Sequence, residues 1–224
     1  MAIITLKDVN KVYKTKEIET LALENVNIDI EKGEFVSIMG PSGCGKSTLL
    51  NIIGLLDVPT GGSVKVMNEN TMDMTDSRLS SFRNHNIGFV FQSFHLIPSL
   101  NVAENVALPL VYRSGTNSKE RQEKVKEVLT KLGLSHRMNH YPGQLSGGQC
   151  QRVAIARAII GNPQIVLADE PTGNLDSKMG QEVMEILHHL NKEDGKTIVM
   201  VTHNESQARM TDRIIRFFDG RQVE

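Results

Sequence analysis

Residues 40–47, with the sequence GPSGCGKS, place three glycines, a lysine and a serine at a spacing that suits phosphate binding. The spacing matches the pattern G-x-x-x-x-G-K-[ST], in which backbone N–H groups wrap phosphate oxygens and Cβ atoms would obstruct them. Lys46 is expected to reach the β- and γ-phosphates of a nucleotide, and the Ser47 hydroxyl to bind Mg²⁺. A glycine-rich turn that precedes Lys-Ser by chance is the alternative. The apolar run 35–39 before the loop and the helix-like run 48–56 after it favour the phosphate loop.

Polar residues follow several apolar runs that are typical of buried strands. These runs are residues 35–39, 87–91, 165–168 and 197–201. They are apolar without alternation, as in parallel strands that are covered on both faces. At or just past their carboxyl ends lie Lys46, Gln92, Asp169, Glu170 and His203. Because ligands bind at this edge of open α/β sheets, the set predicts a nucleotide site.

The two carboxylates that follow residues 165–168 have distinct expected roles. Asp169 would hold Mg²⁺ through water, and Glu170 would polarise a water molecule against the γ-phosphate. Taken alone, the pair is equally consistent with helix-capping acids after a core strand. Gln92 and His203, taken alone, are more typical of ordinary polar loop residues. Their combination at the ends of several strands favours catalysis over these alternatives.

Residues 146–149, SGGQ, begin a helical segment whose first turn contains two glycines. Ser146 and Gln149 have the spacing of a capping box, in which their side chains satisfy the first N–H groups of a helix. Capping does not explain Gly147 and Gly148, each of which costs about 0.5–1 kcal/mol in a helix. A glycine-rich helix N-terminus is also an anion site. Two phosphate sites with one set of carboxylates predict a head-to-tail pair of chains that encloses two nucleotides.

Together these motifs resemble those of the nucleotide-binding subunits of ABC transporters, and the resemblance spans almost the whole chain. The corresponding segments are GPSGCGKST (Walker A, 40–48), Gln92 (Q-loop), LSGGQ (signature, 145–149), IVLADE (Walker B strand and catalytic glutamate, 165–170), NLD (D-loop, 174–176) and His203 (switch histidine).

The resemblance implies ATP and Mg²⁺ as cofactors, with Ser47, Gln92 and Asp169 as metal-binding residues. The nucleotide contacts that it implies come from Tyr13, Gly40, Ser42, Gly43, Cys44, Gly45, Lys46, Ser47, Thr48, Ser146, Gly147, Gly148 and Gln149. The catalytic residues that it implies are Lys46, Gln92, Glu170 and His203. Tyr13 is expected to stack on the adenine, although taken alone it is more typical of a half-buried sheet residue.

The segments DEPTGNLD and FVFQSFHLIPSLNVAENVALPL narrow the resemblance. They are similar to the ATPases of lipoprotein-releasing, macrolide-export and peptide-export systems, and to the cell-division ATPase that pairs with a permease of the same type. This implies a homodimer that closes on ATP and a separate integral membrane permease that transmits closure mechanically. It places the chain in the cytoplasm, on the cytoplasmic face of the inner or plasma membrane. Cargo recognition then belongs to the permease.

Residues 94–106 carry more apolar side chains than a surface loop needs, among them Phe94, Leu96, Ile97 and Leu100. We expect some of them to line a groove that receives a short cytoplasmic helix of the permease. The alternative is that all of them anchor the core of a helical subdomain.

Composition and length limit the remaining function classes. The chain has 224 residues and a formal net charge of −1, which gives no electrostatic pull toward nucleic acid. No apolar run approaches about 18 residues and the N-terminus does not resemble a signal peptide, so we expect a soluble cytosolic chain. An ABC ATPase acting on DNA is disfavoured, because DNA-repair members of the family have a long coiled coil between Walker A and the signature, and none fits between residues 48 and 145. One acting on ribosomes is disfavoured, because such members usually have two nucleotide-binding domains in tandem and this chain has one. The signature and His203 disfavour a P-loop kinase or GTPase.

The predicted fold class is α/β: a P-loop NTPase core with a mainly parallel sheet, in a single nucleotide-binding domain. Alternating polar and apolar residues at 3–13 and 21–30 predict an N-terminal antiparallel β subdomain. Residues from about 95 to 160 interrupt the strand rhythm and predict an inserted α-helical subdomain that carries the signature. The core is then 1–94 and 161–224.

One helix of the predicted insert has a clear apolar face. Val125, Val128, Leu129 and Leu132 recur at helical spacing. Asn117 or Ser118 is expected to cap its start, and Gly133 to end it.

The two cysteines, Cys44 and Cys150, lie in the phosphate loop and one residue beyond the signature. Positive helix ends near both thiols are expected to lower their pKa values. We hypothesise that a short crosslinker joins Cys44 of one subunit to Cys150 of its partner in a head-to-tail dimer. The alternative is that Cys150 points into its own subdomain and is inert.

Overall fold

The computed structural model describes residues 1–14, 18–113, 115 and 117–223. The Cα positions group into two units, one of Met1–Ser81 with Gly195–Glu224 and one of Phe82–Asp194. Both units combine strands with helices, which confirms the predicted α/β class. The predicted boundaries of the helical subdomain, near residues 95 and 160, stay a prediction.

Strands and helices follow one another along the described residues. The strands are β1 (Ala2–Lys14), β2 (Glu19–Glu31), β3 (Phe35–Met39), β4 (Gly61–Val66), β5 (Glu69–Asn70), β6 (Ile87–Phe91), β7 (Ile165–Asp169), β8 (Thr197–Thr202), β9 (Arg213–Phe218) and β10 (Arg221–Gln222). The helices are α1 (Lys46–Ile53), α2 (Asp76–Asn86), α3 (Val102–Val111), α4 (Ser118–Lys131), α5 (Gly147–Ile159), α6 (Ser177–Lys192) and α7 (Glu205–Ala208). Within the described ranges, no helix combines the length and the apolar character that crossing a membrane requires.

The first unit contains an antiparallel sheet with the strand order β2-β1-β4-β5. Along β2, the buried residues Leu23, Val26, Ile28 and Ile30 are separated by exposed polar residues. This spacing gives the strand one apolar and one polar face. It confirms the predicted N-terminal antiparallel sheet.

Parallel pairing also occurs in the first unit, where β3 pairs with both β8 and β9. Every residue of β3 and β8 is buried, as predicted for apolar runs without alternation. In the register of this pair, Met39 lies opposite Thr202. Gly40 and His203 therefore leave the two strands at neighbouring positions of the carboxyl edge.

In the second unit, β6 and β7 are parallel, with Phe91 opposite Asp169. Gln92 and Glu170 therefore follow paired residues at the carboxyl ends of these strands. Helix α3 packs against α4 and α5, and α5 also packs against β6 and α6. These elements bury an apolar core to which α5 contributes Val153 and Ile155.

Helix α4 has the predicted apolar face and ends. The Asn117 side chain accepts a hydrogen bond from the Glu120 N–H at 2.9 Å and caps the first turn. Val125, Val128 and Leu129 are buried, and the helix ends at Lys131, two residues before Gly133.

The helix after the phosphate loop is shorter than the predicted run 48–56. α1 ends at Ile53, and the Gly54 N–H closes its last turn by donating to the Leu50 carbonyl at 2.8 Å. Leu55 then has a positive φ of 58°, which no right-handed helix accommodates. The apolar residues beyond Gly54 thus belong to a turn.

Candidate nucleotide-binding site

Residues 40–45 form the loop between β3 and α1, and close packing within the first unit requires glycine at two of its positions. A Cβ atom on Gly40 would lie 2.2 Å from the carbonyl oxygen of Phe217 on β9. A Cβ atom on Gly45 would lie 2.4 Å from the carbonyl oxygen of Ala22 on β2, and Gly45 has a φ of 98° that other residues rarely adopt. Contact with the backbone of two strands therefore determines the shape of the loop.

Lys46 lies in the first turn of α1, and its side chain is buried. Its Nζ donates to the Pro41 carbonyl at 2.6 Å and lies 3.8 Å from Cys44 Sγ. No side chain of the described residues caps this helix start, and its first turn contains no acidic residue. The helix N–H groups and the ammonium make this end of α1 positive, the arrangement that binds phosphate.

Tyr13 lies on β1 and is 42% exposed. Its hydroxyl donates to Asp57 Oδ2 at 2.8 Å and also hydrogen-bonds the side chain of Thr48 on α1. Lys11 Nζ donates to Asp57 Oδ1 at 2.6 Å and lies 4.8 Å from the centroid of the Tyr13 ring. The network holds the ring in one orientation while part of it stays accessible, as stacking on a base requires.

Two pKa values are shifted in this network. Burial raises the pKa of Tyr13, and the hydrogen bond to the Asp57 carboxylate raises it further. Burial also acts to raise the pKa of Asp57, but hydrogen bonds from Lys11 and Tyr13 outweigh it and hold the pKa below its usual value. At neutral pH the phenol is therefore protonated and the carboxylate ionised, so the phenol donates to the carboxylate.

Gln92, which follows β6, is held against the segment that follows β7. Its Nε2 donates to Asn174 Oδ1 at 3.2 Å, and Asn174 Nδ2 donates in return to the Gln92 carbonyl at 3.1 Å. This reciprocal pair orients the Gln92 amide and joins it to the predicted D-loop.

Glu170 follows β7 with a positive φ of 45°, a region that costs a non-glycine residue about 1–3 kcal/mol. Its carbonyl accepts a hydrogen bond from the Gly173 N–H at 3.0 Å, which closes a turn over residues 170–173. Gln151 Nε2 donates to the Pro171 carbonyl in this turn at 2.6 Å. Hydrogen bonds from inside the turn and from α5 thus hold the backbone that carries the carboxylate.

Residues 146–149 form the predicted capping box at the start of α5. Ser146 Oγ accepts from the Gln149 N–H at 3.3 Å, and Gln149 Oε1 accepts from the Ser146 N–H at 3.0 Å. A Cβ atom on Gly147 would lie 3.4 Å from its nearest neighbour, a methyl group of Leu175, which is ordinary van der Waals contact. Packing within the chain therefore does not require Gly147 to be a glycine.

The predicted site residues are distributed over both units. The first unit holds Tyr13, the loop 40–47, Thr48 and His203, and the second holds Gln92, Asp169, Glu170 and the signature 145–149. A model of the ABC transporter family matches residues 23–173, which include the phosphate loop, the signature and both carboxylates.

The chain belongs to the ABC transporter family. As a member, it is an ATP-binding and ATP-hydrolysing subunit.

Three relatives of this ABC ATPase differ in how much of their length it covers. An uncharacterized ABC transporter ATP-binding protein of Methanocaldococcus jannaschii, MJ0796, is 56% identical over 220 residues, which are 97% of this chain and 94% of that protein. The lipoprotein-releasing system ATP-binding protein LolD of Geobacter metallireducens is 46% identical over 222 residues, 99% of this chain and 98% of LolD. The macrolide export ATP-binding/permease protein MacB of Syntrophobacter fumaroxidans is 45% identical over 221 residues, 98% of this chain but 31% of MacB.

A solved structure of MJ0796 shows the same fold. It is a dimer in a post-hydrolysis state bound to ADP and Pi, with a TM-score of 0.91 and 53% identity to this chain. The alignment covers 99% of this chain and 97% of that one.

The segment after Gln92 in this ABC ATPase is organised by Asn105 on α3, which is fully buried. Asn105 Nδ2 donates to the carbonyls of Ile97, Leu100 and Asn101 at 3.1, 2.9 and 3.0 Å. Its Oδ1 accepts from the Ile97 N–H at 2.7 Å. One side chain thus contacts four backbone groups, with its two N–H groups shared among three carbonyls, and gives residues 97–101 a defined shape.

Arg157 on α5 holds the beginning of the same segment. Its guanidinium donates to the carbonyl of Phe94 at 2.7 Å and to that of His95. Burial lowers the pKa of Arg157. Ile97 is 41% exposed, whereas Phe94, Leu96 and Leu100 are partly buried, so the predicted groove for a permease helix stays a prediction.

Both cysteines of the ABC ATPase are buried, with Cys44 4% and Cys150 8% exposed. Burial raises the pKa of the Cys150 thiol, so the prediction of a lowered pKa is wrong for this residue. Loss of hydration disfavours the thiolate more than the helix end favours it. Cys150 Sγ lies 3.6 Å from the Pro142 carbonyl and donates to it, which favours the alternative that Cys150 points into its own subdomain. A crosslink to Cys44 of a partner stays a hypothesis.

The motifs did not reveal the side chains that hold the site residues in place. Lys11 and Asp57 belong to no motif in the sequence, and nothing there indicates their contact with Tyr13. Asn105 and Gln151 do leave a signal, because each is a polar residue at a position of a helix whose neighbours at helical spacing are apolar.

Proposed function

We propose that this ABC ATPase binds ATP in the loop 40–47 and hydrolyses it with Glu170 as the general base. Lys46 and the first N–H groups of α1 bind the β- and γ-phosphates. Tyr13 stacks on the adenine, and Glu170 polarises the attacking water. His203 takes the place of the switch histidine of the family.

Mg²⁺ is the metal that the proposed ligands fit. The Ser47 hydroxyl, the Gln92 amide oxygen and the Asp169 carboxylate, the last through water, are oxygen ligands of the kind that Mg²⁺ prefers together with phosphates. The bond from Gln92 Nε2 to Asn174 directs the nitrogen of the amide away from a metal-binding role and leaves the oxygen for it. Bound Mg²⁺ neutralises charge on the phosphates during hydrolysis.

Gly147 is the observation that carries the proposal of a head-to-tail dimer. An alanine would fit at this position within the chain and would stabilise the helix by about 0.5–1 kcal/mol. The glycine is therefore explained by close approach of a group from outside the chain. A phosphate of the ATP bound by a second copy fits this place, because the start of α5 is a positive helix end.

The permease that we propose as partner is of the lipoprotein-releasing or macrolide-export type. The identity to LolD and MacB supports this choice, and MacB carries its permease in the same chain by name. In our proposal the permease is a separate chain and holds this ATPase at the cytoplasmic face of the membrane. Purification of the ATPase from its native membranes, with identification of the copurifying permease, tests the pairing.

Replacement of the general base tests the catalytic proposal. We expect Glu170→Gln to bind ATP with wild-type affinity while hydrolysis falls by about 10²–10⁴-fold, because the amide does not accept the proton of the attacking water. Light scattering should then show a stable dimer in ATP. Phosphate release and equilibrium nucleotide binding measure the two properties separately.

Lys46→Ala serves as the contrasting variant. It is expected to weaken ATP binding itself, because it removes the ammonium that contacts the phosphates. Near wild-type hydrolysis by Glu170→Gln would mean that another residue is the base.

A further inference from the structure

Gln151 is a buried polar residue on the inner side of α5. Its side chain is 0% exposed, and Ala154 and Ile155, one turn further along the helix, are buried as well. Gln151 Nε2 donates to the Pro171 carbonyl at 2.6 Å. Among the residues that the structure describes, its Oε1 has no hydrogen-bond partner.

A half-paired amide in an apolar setting is an unfavourable choice for packing alone. Burying the unpaired oxygen costs free energy, whereas methionine has a similar volume and no polar group to satisfy. The property that glutamine has and methionine lacks is the N–H group that binds Pro171. The position is therefore explained by that hydrogen bond rather than by the filling of the core.

Pro171 belongs to the turn that carries Glu170. The turn begins at Asp169, which is paired with Phe91 in the sheet, and it closes with the bond from the Gly173 N–H to the Glu170 carbonyl. Between these points the backbone passes through the positive φ of Glu170, 45°. Such a conformation persists only where surrounding contacts maintain it, and the bond from Gln151 is a contact of this kind.

We infer that Gln151 is a positioning residue for Glu170. Its amide holds the Pro171 carbonyl and so orients the turn from which the Glu170 carboxylate reaches the attacking water. The inference rests on the proposed role of Glu170 as the general base. The N-terminus of α5, at Ser146 and Gly147, is the site proposed for the nucleotide of a second copy. The same helix thus also carries Gln151, which positions Glu170 of its own chain.

Two substitutions of Gln151 test the inference. Gln151→Met keeps the volume and removes the donor, and Gln151→Glu keeps the shape and replaces the donor with an acceptor. We expect each to lower kcat at about pH 8 by about 10–100-fold, the range for small misplacement of a reacting group, with ATP affinity within about twofold of wild type. Gln181→Met, an exposed glutamine on α6, is the matched control and should leave kcat unchanged.

The pH profile separates positioning from a general loss of structure. When the carboxyl introduced by Gln151→Glu is protonated, its O–H group can donate to Pro171 as the amide does. Because burial raises the pKa of a carboxyl, we expect the ratio of variant to wild-type kcat to rise about tenfold from about pH 8 to about pH 6. Gln151→Met should show no such rise. The neighbouring elements also carry charged groups, which are the same in both proteins: Arg152, Arg157, Asp169, Glu170, Asp176 and Lys178. Their own titration affects both rates alike, while their charges shift the pKa of the introduced carboxyl and so set the pH at which the ratio rises.

The outcomes distinguish this inference from the proposed function. If Glu170→Gln is inactive but Gln151→Met keeps a kcat within about twofold of wild type, the positioning role is overturned. If Gln151→Met does not fold, the test rests on the ratio of Gln151→Glu kcat to wild-type kcat. A ratio that does not change with pH overturns the positioning role of Gln151. Near wild-type hydrolysis by Glu170→Gln overturns the proposed base itself.

Discussion

The chemistry of a side chain in this ATPase depends on what surrounds it more than on its type. Asp57 is ionised beside Lys11 and orients the phenol of Tyr13, although it belongs to no recognisable motif. Cys150 lies one residue beyond a positive helix start, yet burial raises its pKa. The neighbours of Asp57 are contributed by β1, which is distant from it in the sequence.

The Cys150 thiol provides a prediction at this scale. We expect iodoacetamide to modify Cys150 more slowly in the folded protein than in the same protein in denaturant at about pH 8, because the thiolate reacts and burial disfavours it. The rate should increase with pH and reach its midpoint above the value of about 8.5 for a free cysteine. Peptide mass spectrometry measures both rates.

The sign of the stability effect follows from the same shift. The pKa of the Cys150 thiol is higher in the folded state than in the unfolded state, so the folded state binds this proton more tightly. The contribution of the thiol to folding stability is therefore complete below about pH 8.5 and is lost as pH rises through the folded pKa. Faster modification of the folded protein than of the denatured protein would contradict the prediction.

Among the elements, the buried strands were predictable from the sequence, whereas the end of α1 and the shape of residues 97–101 were not. The apolar runs of β3, β6, β7 and β8 follow from burial on both faces, which leaves a plain pattern in the sequence. The end of α1 depends on the local backbone of Gly54 and Leu55, which hydropathy does not reveal. The shape of residues 97–101 depends on Asn105 and its hydrogen bonds, and α3 has to hold this side chain against the segment.

Asn105→Leu tests how much of the segment after Gln92 depends on this one side chain. The substitution leaves the Leu100 carbonyl and the Ile97 N–H without the amide that they now bind, and burial of each unpaired group costs about 1–3 kcal/mol. The carbonyls of Ile97 and Asn101 also lose the amide but keep the N–H groups of Leu100 and Asn105. We expect faster hydrogen exchange in residues 97–101 and loss of permease-stimulated ATPase activity. Hydrogen-exchange mass spectrometry measures the first effect.

Asn86→Leu is the control for that experiment, because among the described residues Asn86 Nδ2 makes one hydrogen bond, to the Phe82 carbonyl at 2.9 Å. It should leave exchange in residues 97–101 unchanged. Equal exchange in the Asn105 variant and in wild type would show that the segment keeps its shape by other contacts.

At the scale of the whole molecule, contacts within one chain account for some of its glycines and not for others. Gly40 and Gly45 are required by backbone atoms of their own unit, whereas Gly147 is not. All three glycines belong to the sequence motifs. The motifs do not show whether a glycine is required by packing within the chain or by a group from outside it. The motifs did predict the dimer, through two phosphate sites and one set of carboxylates.

Gly147→Ala therefore separates folding from assembly. We expect its melting temperature to equal or exceed that of wild type, because alanine favours the helix by about 0.5–1 kcal/mol. In wild type, ATPase activity per subunit should rise with protein concentration toward a plateau, since each site needs two chains, and the variant should lose this rise. Gly40→Ala, by contrast, should lower the melting temperature. A Gly147 variant with the wild-type dependence on concentration would contradict the head-to-tail arrangement.

The bond between Lys46 Nζ and the Pro41 carbonyl, at 2.6 Å, bears on how products leave. A phosphate that takes the N–H group bound to Pro41 competes with an oxygen of the loop itself, so binding exchanges one partner of that N–H group for another. The net gain in free energy is then the difference between two charge-assisted bonds, which is smaller than that of the bond to phosphate alone. When ADP and phosphate leave, the Pro41 carbonyl can again accept the hydrogen bond from Lys46 Nζ. In the proposed site, the loop thus contains an oxygen that competes with the phosphate, which favours release of the products over their tight retention.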